Sequence, residues 1–345
     1  MFELFYLYYL FNIVANLRKT YFTAVYVIVL VLIGNILIFC TALNPALDVI
    51  YKLDHFQSGS TTGDTSAISV PAGKGINVAR VMATLGEDVC VTGLMPENDL
   101  KRSTEFLDRL GIDQCFLPIP GNMRINTTIL ETNTRSVTHL NSVSTVMPAG
   151  IQDEYVAHFK KKLKSDDLYC FSGSLPVGFE SSIYGELIRL CSENGCNSLL
   201  DTRDEALKFG LRSRPEMIKP NIDELEKFFG EQICGVHHIA LKGKRLIDMG
   251  ISYVFISLGA DGMIAIHGND CLLCSAPHIS VVDSVGCGDA LVAGLIVGKK
   301  RNFSFSEMCR MAVACGTSKA LHEGPGVVTR DEVSQLMEDV HITSV

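Results

Sequence analysis

The sequence lacks a long basic tract. The richest cluster, HFKKKLK at 158–164, is short, and the net charge of the 345 residues is −8. Without a basic face there is nothing to hold a phosphate backbone, which excludes a nucleic-acid partner. HFKKKLK reads instead as the solvated face of a helix. A second metal-ligand pair is also missing. Cys271-Leu-Leu-Cys274 stands alone, and a zinc site needs a second pair at suitable spacing. His237-His238 has no partner motif either. The twelve cysteines mostly sit inside apolar runs such as ILIFC and DVCVTG. That is the pattern of reduced, buried thiols in a cytosolic protein. No GxxxxGK[ST] phosphate loop occurs, no internal repeat, and no low-complexity linker.

What is present begins with an apolar, aromatic N-terminus, residues 1–35, interrupted by Arg18-Lys19. The run from Tyr21 to Leu43 approaches the ~20 residues that span a bilayer. Its second half, however, is also a strand candidate, and Tyr21–Ile33 alone is short for a span. Three readings stay open: a membrane anchor or uncleaved signal, a packed extension, or an upstream start that is not used. No small-residue cleavage site precedes the following domain. Membrane association is therefore expected only through residues 1–34, and the remainder is expected to be cytoplasmic.

From Ile36 onward short apolar runs alternate with helical stretches. The strands expected are 36–43, 88–94, 167–173, 197–202, 217–221 and 253–259. Between them lie helix patterns such as GINVARVMATLG, STEFLDRLG, SSIYGELIRLCSENG and IDELEKFFG. Unalternating strands in β-α-β order imply an α/β fold, with a mostly parallel sheet covered by helices on both faces. Residues 48–71 and 115–146 break the rhythm with Thr, Ser and Val in alternation. They read as hairpins forming a small separate sheet, a lid. A further hairpin is expected after 259, and the last 55 residues look helical.

Three motifs carry chemistry. In DSVGCGDA (283–290) the glycines let successive N–H groups converge and a helix follows; together these make an anion hole. Asp289 beside it can accept a hydroxyl proton. The bland reading is a turn, with Asp289 as helix cap. In VPAGKGINVAR (70–80), Lys74 and a helix N-terminus suit an anionic group, and Asn77 a sugar hydroxyl. In TALNPALDVIY (41–51), Asp48 follows the first strand, where ligands of α/β proteins bind.

Their order resembles the PfkB, or ribokinase-like, carbohydrate kinase family over about residues 36–340. The hexose-phosphate branch, which includes 1-phosphofructokinase and tagatose-6-phosphate kinase, is most similar. LNPALD, AGKGINVAR, RIN (124–126), SGSLPVG (172–178), LLDTR (199–203), KPNIDEL (219–225) and SLGADG (257–262) all have counterparts there. The resemblance implies a ribokinase-like kinase domain over 36–345 that transfers the ATP γ-phosphoryl group to a ketohexose phosphate, fructose 1-phosphate first. Tagatose 6-phosphate and fructose 6-phosphate are the alternatives. It implies Asp289 as base, with Gly286, Cys287 and Gly288 as anion hole. Asp48, Gly73, Lys74, Asn77, Arg124, Ser172 and Gly173 would meet the sugar, with Arg124 on its existing phosphate. Lys219 and Asn221 would approach the ATP phosphates, and Ser257, Leu258, Gly259, Ala260, Asp261 and Gly262 would form the nucleotide loop. Asn221 and Glu224 would position Mg²⁺ through water. Asp283 and Val285 fall where some members hold a monovalent cation such as K⁺. A homodimer through the lid is a further implication. Departures include Ala72 for a frequent glycine, Ser284 for a frequent threonine, and Met123 before Arg124. The rival readings are a non-catalytic sugar-phosphate sensor, a membrane protein with an incidental soluble part, and a kinase of unphosphorylated sugars.

Overall fold

The structure is a computed structural model that describes residues 36–63, 66–134 and 136–345. The apolar extension expected over residues 1–35 lies outside the described residues. Among the latter, no helix is long and apolar enough to cross a membrane.

The chain opens with β1 (Ile38–Ala42), β2 (Ala46–Leu53), β3 (Ser66–Ala72), α1 (Lys74–Leu85), β4 (Val89–Pro96) and α2 (Glu97–Asp108). It continues through β5 (Asp113–Ile119), β6 (Arg124–Glu131), β7 (Val137–Asn141), α3 (Ile151–Lys160), β8 (Leu168–Ser172), α4 (Ile183–Glu193), β9 (Asn197–Asp201) and α5 (Asp204–Arg212). Then come β10 (Met217–Ile218), α6 (Ile222–Phe229), α7 (Val236–Asp248), β11 (Tyr253–Ser257), β12 (Met263–His267) and β13 (Asp270–Ser275). Last are α8 (Cys287–Lys300), α9 (Phe305–Ala320), α10 (Arg330–Asp339) and β14 (His341–Ser344).

Ten strands form one sheet in the order β14-β13-β12-β11-β10-β9-β8-β1-β4-β5. Neighbours from β11 to β5 are parallel, and β12, β13 and β14 add antiparallel strands at one edge. β1 and β8 are buried along their whole length, which is why they read as unbroken apolar runs. From β1 the chain goes to β4 and β5 on one side, and later to β8 and β9 on the other. The order therefore reverses at β1, and a crevice opens beyond the carboxyl ends of β1 and β8. Beneath that point Phe39 stacks on Tyr169 at 4.8 Å, and Phe159, Phe171 and Tyr184 complete an aromatic layer. The Tyr184 hydroxyl donates to the carbonyls of Ser172 (3.1 Å) and Gly173 (3.2 Å), so the layer also fixes the end of β8.

A second sheet has the order β3-β2-β6-β7. Its β2–β6 pair is parallel and places Ala46 opposite Arg124 and Asp48 opposite Asn126. The second lid segment, expected from 115, begins later, at Arg124. Residues 115–119 belong to β5, paired with β4 in the main sheet, because their apolar side chains complete its edge. Three elements were not anticipated: helices α5 and α7, and β14 at the end of a tail that reads as helical. β14 adds to the hairpin edge at β13. The strand expected at 217–221 shrinks to two residues, since Pro220 has no N–H for a ladder. Cys271 and Cys274 lie on β13 three residues apart, hence on opposite faces, and no cysteine among the described residues is disulfide-bonded.

The run ALVAGLIVG after the glycine loop forms the body of α8, buried from Asp289 to Gly298. Its small residues allow close helix contact. A Cβ on Gly294 would lie 2.6 Å from Ala312 Cα of α9.

Candidate active site

The loop DSVGCGDA ends on α8, whose first residue is Cys287 and whose cap is Gly286. Gly286 has φ +83° and packs against Pro325, where a Cβ would come within 3.2 Å; glycine is required on both counts. Asp289 is the third residue of α8 and is 5% exposed. It is no cap: α8 has no side-chain cap bond, and Asp289 Oδ2 instead accepts from Asn77 Nδ2 of α1 at 2.9 Å. Asn77, expected to meet a sugar hydroxyl, thus orients the carboxylate. Burial pushes the Asp289 pKa up to about 6; the charge of Asp201 adds to the rise, and Lys74, Asn77 and Lys219 oppose it.

The amides free at this loop are not the expected set of Gly286, Cys287 and Gly288. The Cys287 N–H turns back to the Ser284 carbonyl at 3.3 Å. The first intrahelical bond runs from Ala290 N to Gly286 O at 2.9 Å. Among the described residues, the N–H groups of Gly288 and Asp289 precede that bond and are open to an anion. Cys287 shapes the turn but does not donate into it. Beside Gly288 sits a cation, for a Cβ there would lie 3.7 Å from Lys219 Nζ.

Lys219 follows β10 and is buried. Its ammonium lies 3.2 Å from Asp201 Oδ1 at the end of β9, and Lys74 Nζ lies 2.9 Å from Asp201 Oδ2. Burial alone would raise the pKa of Asp201, but Lys219 and Lys74 outweigh it and hold the carboxyl below its ordinary value. Burial works against the charged form of Lys74 too, and Asp201 and Asp289 more than restore it. Two ammonium groups and two carboxylates therefore meet where β9, β10, α1 and α8 converge.

On one side is a cleft of about 470 Å³, lined by Gly73, Lys74, Arg124, Asn126, Ser172, Gly173, Arg203 and Glu224 among others. Arg124 begins β6 and donates to Asn126 Oδ1 (2.9 Å) and the Asn44 carbonyl (3.4 Å). Asn126 donates to Asp48 Oδ1 at 2.8 Å, so Asp48 reaches the cleft through Asn126. On the other side a groove of about 730 Å³ is lined by Asn221 and by Ser257, Leu258, Gly259, Ala260 and Asp261. It continues into a space of about 430 Å³ bounded by Gly262, Cys287 and Gly288. Lys74 lines the first cleft and Gly288 the last space, and Asp289 interacts with the one and adjoins the other.

Asn221 and Glu224 form a reciprocal cap on α6. Asn221 Oδ1 accepts from Glu224 N (2.8 Å), and Glu224 Oε2 accepts from Asn221 N (3.0 Å). That leaves one carboxylate oxygen of Glu224 for other use. Among the described residues no three His, Cys, Asp or Glu side chains cluster as a metal site. The pair fits a divalent ion held through water and ligand oxygens, not one caged by protein.

The expectation of a monovalent metal at Asp283 and Val285 does not fit. Asp283 Oδ1 accepts from Val285 N (2.9 Å) and Oδ2 from Gly324 N (3.0 Å). Its carbonyl and Oδ2 both face the ammonium of Lys319, at 2.9 and 3.4 Å.

Sequence reasoning missed Asp201, Asn126, Asn44 and Lys319. Asp201 was findable, because it ends the strand NSLLDT just as an acid follows the first strand. Asn126 lies two residues beyond Arg124, hence on the same strand face. Lys319 left no local signal.

Comparison with known proteins agrees with this geometry. The pfkB family carbohydrate kinase profile matches residues 41–331. A 1-phosphofructokinase of Haemophilus influenzae is 30% identical over 304 residues, covering 88% of this chain and 97% of its own. A tagatose-6-phosphate kinase of Staphylococcus epidermidis is 28% identical over 312 residues, covering 90% and 100%. In fold the chain is similar to Escherichia coli phosphofructokinase-2 in complex with potassium, with TM-score 0.83, 21% identity, and coverage of 88% and 98%. The chain belongs to the pfkB family of carbohydrate kinases and is a phosphotransferase that acts on a sugar hydroxyl.

Proposed function

We propose that the chain transfers the γ-phosphoryl group of ATP to a primary hydroxyl of a ketohexose phosphate. Fructose 1-phosphate, giving fructose 1,6-bisphosphate, is the acceptor we put first; tagatose 6-phosphate and fructose 6-phosphate are its alternatives. The observation that carries the reading is the buried Asp289 carboxylate at the start of α8, next to Gly288, which lines one cleft, and interacting with Lys74, which lines the other.

The acceptor sugar would lie in the cleft of Lys74 and Arg124, and the nucleotide in the groove of residues 257–262. Asp289 would take the hydroxyl proton as the oxygen attacks phosphorus. A base with a pKa near 6 is mostly ionised at neutral pH yet still basic enough to accept it. The Gly288 and Asp289 amides and Lys219 would face the transferring group, and such preorganised donors act most strongly where water is excluded. Mg²⁺, approached through the free carboxylate oxygen of Glu224 and water, would neutralise charge on the nucleotide phosphates. The four-stranded lid would cover the sugar and exclude water as competing acceptor. Residues 257–262 are backbone-rich and uncharged apart from Asp261, which suits a base and ribose more than phosphates.

Arg124 is the proposed ligand of the phosphate already on the sugar. A guanidinium fork suits that geometry, and its Nε is buried without a partner among the described residues. Arg124→Ala is expected to raise KM for the phosphosugar by about 10–100-fold, the worth of roughly 1.4–2.8 kcal/mol of charge-assisted bonding, and to leave KM for ATP nearly unchanged. Steady-state kinetics with each substrate varied in turn checks this. Equal rises in both constants would remove Arg124 from that role.

We also propose a homodimer through the lid. β3 and β7 are its two edges, and Ile68, Leu140, Val143 and Val146 in or beside it are exposed apolar side chains. The proposed location is cytoplasmic, in keeping with twelve cysteines and no disulfide among the described residues.

A further inference from the structure

Lys319 lies in the last turn of α9 and is fully buried, 0% exposed. A buried ammonium needs full compensation, and this one has three oxygens. They are the Asp283 carbonyl (2.9 Å), the His322 carbonyl (3.0 Å) and Asp283 Oδ2 (3.4 Å). Two main-chain carbonyls and a carboxylate are the donor set that suits a small monovalent cation. The three come from two segments, the approach to the glycine loop and the turn after α9.

Those segments bear directly on the anion hole. Val282 N and Asp283 N both donate to the Ala320 carbonyl, at 2.8 and 3.3 Å, so the loop is stitched to the end of α9. Gly324 N donates to Asp283 Oδ2 at 3.0 Å. One residue later Pro325 packs against Gly286, the cap of α8. Asp283 is thus the knot joining loop, helix end and turn, and Lys319 supplies the positive charge at its centre. A cation at the carboxyl end of α9 also meets the favourable end of the helix dipole.

We propose that the Lys319 ammonium is a built-in cation that replaces a bound monovalent metal, sets the 283–288 loop for phosphoryl transfer, and makes the enzyme independent of K⁺. Lys319 is a positioning residue, since it reaches the proposed anion site only through Asp283 and the turn at Gly324-Pro325. The proposal rests on reading that loop as the phosphoryl-transfer site, and on the misfit of a metal at Asp283 and Val285.

The test compares the full chain in KCl, NH₄Cl and tetramethylammonium chloride at equal ionic strength, by turnover and by thermal unfolding. Wild type is expected to show the same turnover and the same melting temperature in all three. Lys319→Ala opens a space lined by the three oxygens. It is expected to lose turnover on the order of 10–100-fold, the usual cost of removing an outer support. K⁺ or NH₄⁺ is expected to restore it and to raise its melting temperature, while tetramethylammonium does neither. Lys319→Met fills the same space without charge and is expected to lose turnover without rescue, which a purely steric role for Lys319 does not predict. Activation or stabilisation of wild type by K⁺ over tetramethylammonium would overturn the proposal. So would Lys319→Ala that folds and responds equally to all three salts. If the acceptor reading itself were wrong, no salt would give turnover, and the melting temperatures would still decide the point.

Discussion

Asp289→Asn is expected to cut turnover by about 10²–10⁴-fold, the usual worth of a positioned general base. Binding of the phosphosugar, measured by calorimetry, is expected to stay within a few-fold of wild type. The Asn77 amide can still donate to the side-chain oxygen of an asparagine, so the local geometry is kept. Stability should move the opposite way to activity. The folded carboxyl holds its proton to about pH 6, because burial disfavours the charge, whereas an unfolded aspartate releases it near 3.8. Over that window the folded state binds more protons. Asp289 therefore costs stability as pH rises from about 4 to 6, and the cost persists at neutral pH. The asparagine variant is expected to melt above wild type at pH 8, with the gap closing near pH 4. A variant that keeps most of its turnover would remove Asp289 as the base. A stability gap independent of pH would contradict its raised pKa. This is the exchange of stability for activity common at functional sites.

Asp201→Ala is expected to unfold far more easily than wild type, by about 3 kcal/mol in denaturant titration. Asp201 is fully buried and is the shared partner of Lys219 and Lys74. Removing it leaves the ammonium of Lys219, 5% exposed, with no carboxylate at salt-bridge distance among the described residues. We take the low end of the range for a broken buried pair because Lys74, with 39% of its side chain exposed, can be rehydrated. The sign with pH follows from a folded pKa below the ordinary value. The stability Asp201 contributes is present above about pH 4 and is lost as pH falls through its folded pKa. The deficit of the variant is therefore expected to be full at pH 7 and to shrink in acid. Turnover should fall as well, since Lys74 and Lys219 lose their placement beside Asp289 and Gly288. A loss under about 0.5 kcal/mol, typical of a surface pair, would show that the two lysines are held by other means.

These residues also mark what the sequence makes legible. β1, β8, β9 and β11 stand out because strands covered on both faces carry consecutive rather than alternating apolar residues. The glycine loop is legible because turn geometry and an adjacent helix start restrict the residue types that fit. β5 was hidden by the Thr- and Val-rich run that follows it, which has the same local pattern but belongs to the other sheet. The Asp201–Lys219–Lys74 cluster joins positions 127 and 18 residues apart, and no spacing rule reports such a meeting. Lys319 was hidden most completely. In the run ACGTSKALHEG it looks like an ordinary helical lysine, and only packing shows that its partners lie 36 residues upstream and three downstream. The Cys287 amide is a smaller case: the loop was recognised, but which of its N–H groups are free depends on backbone angles.

The central claim is that the cleft beside Asp289 takes a sugar that already carries a phosphate. The most direct measurement is ADP release by the full chain with Mg-ATP, against fructose 1-phosphate, tagatose 6-phosphate, fructose 6-phosphate, fructose and ribose. Rapid turnover on one of the three phosphosugars, with little on the free sugars, is the predicted result, and fructose 1-phosphate is expected to lead. Turnover on fructose or ribose alone would contradict the account and take Arg124 out of substrate recognition. Release with none of the five, from protein that still binds the phosphosugars, would leave a sensor in place of an enzyme of this specificity.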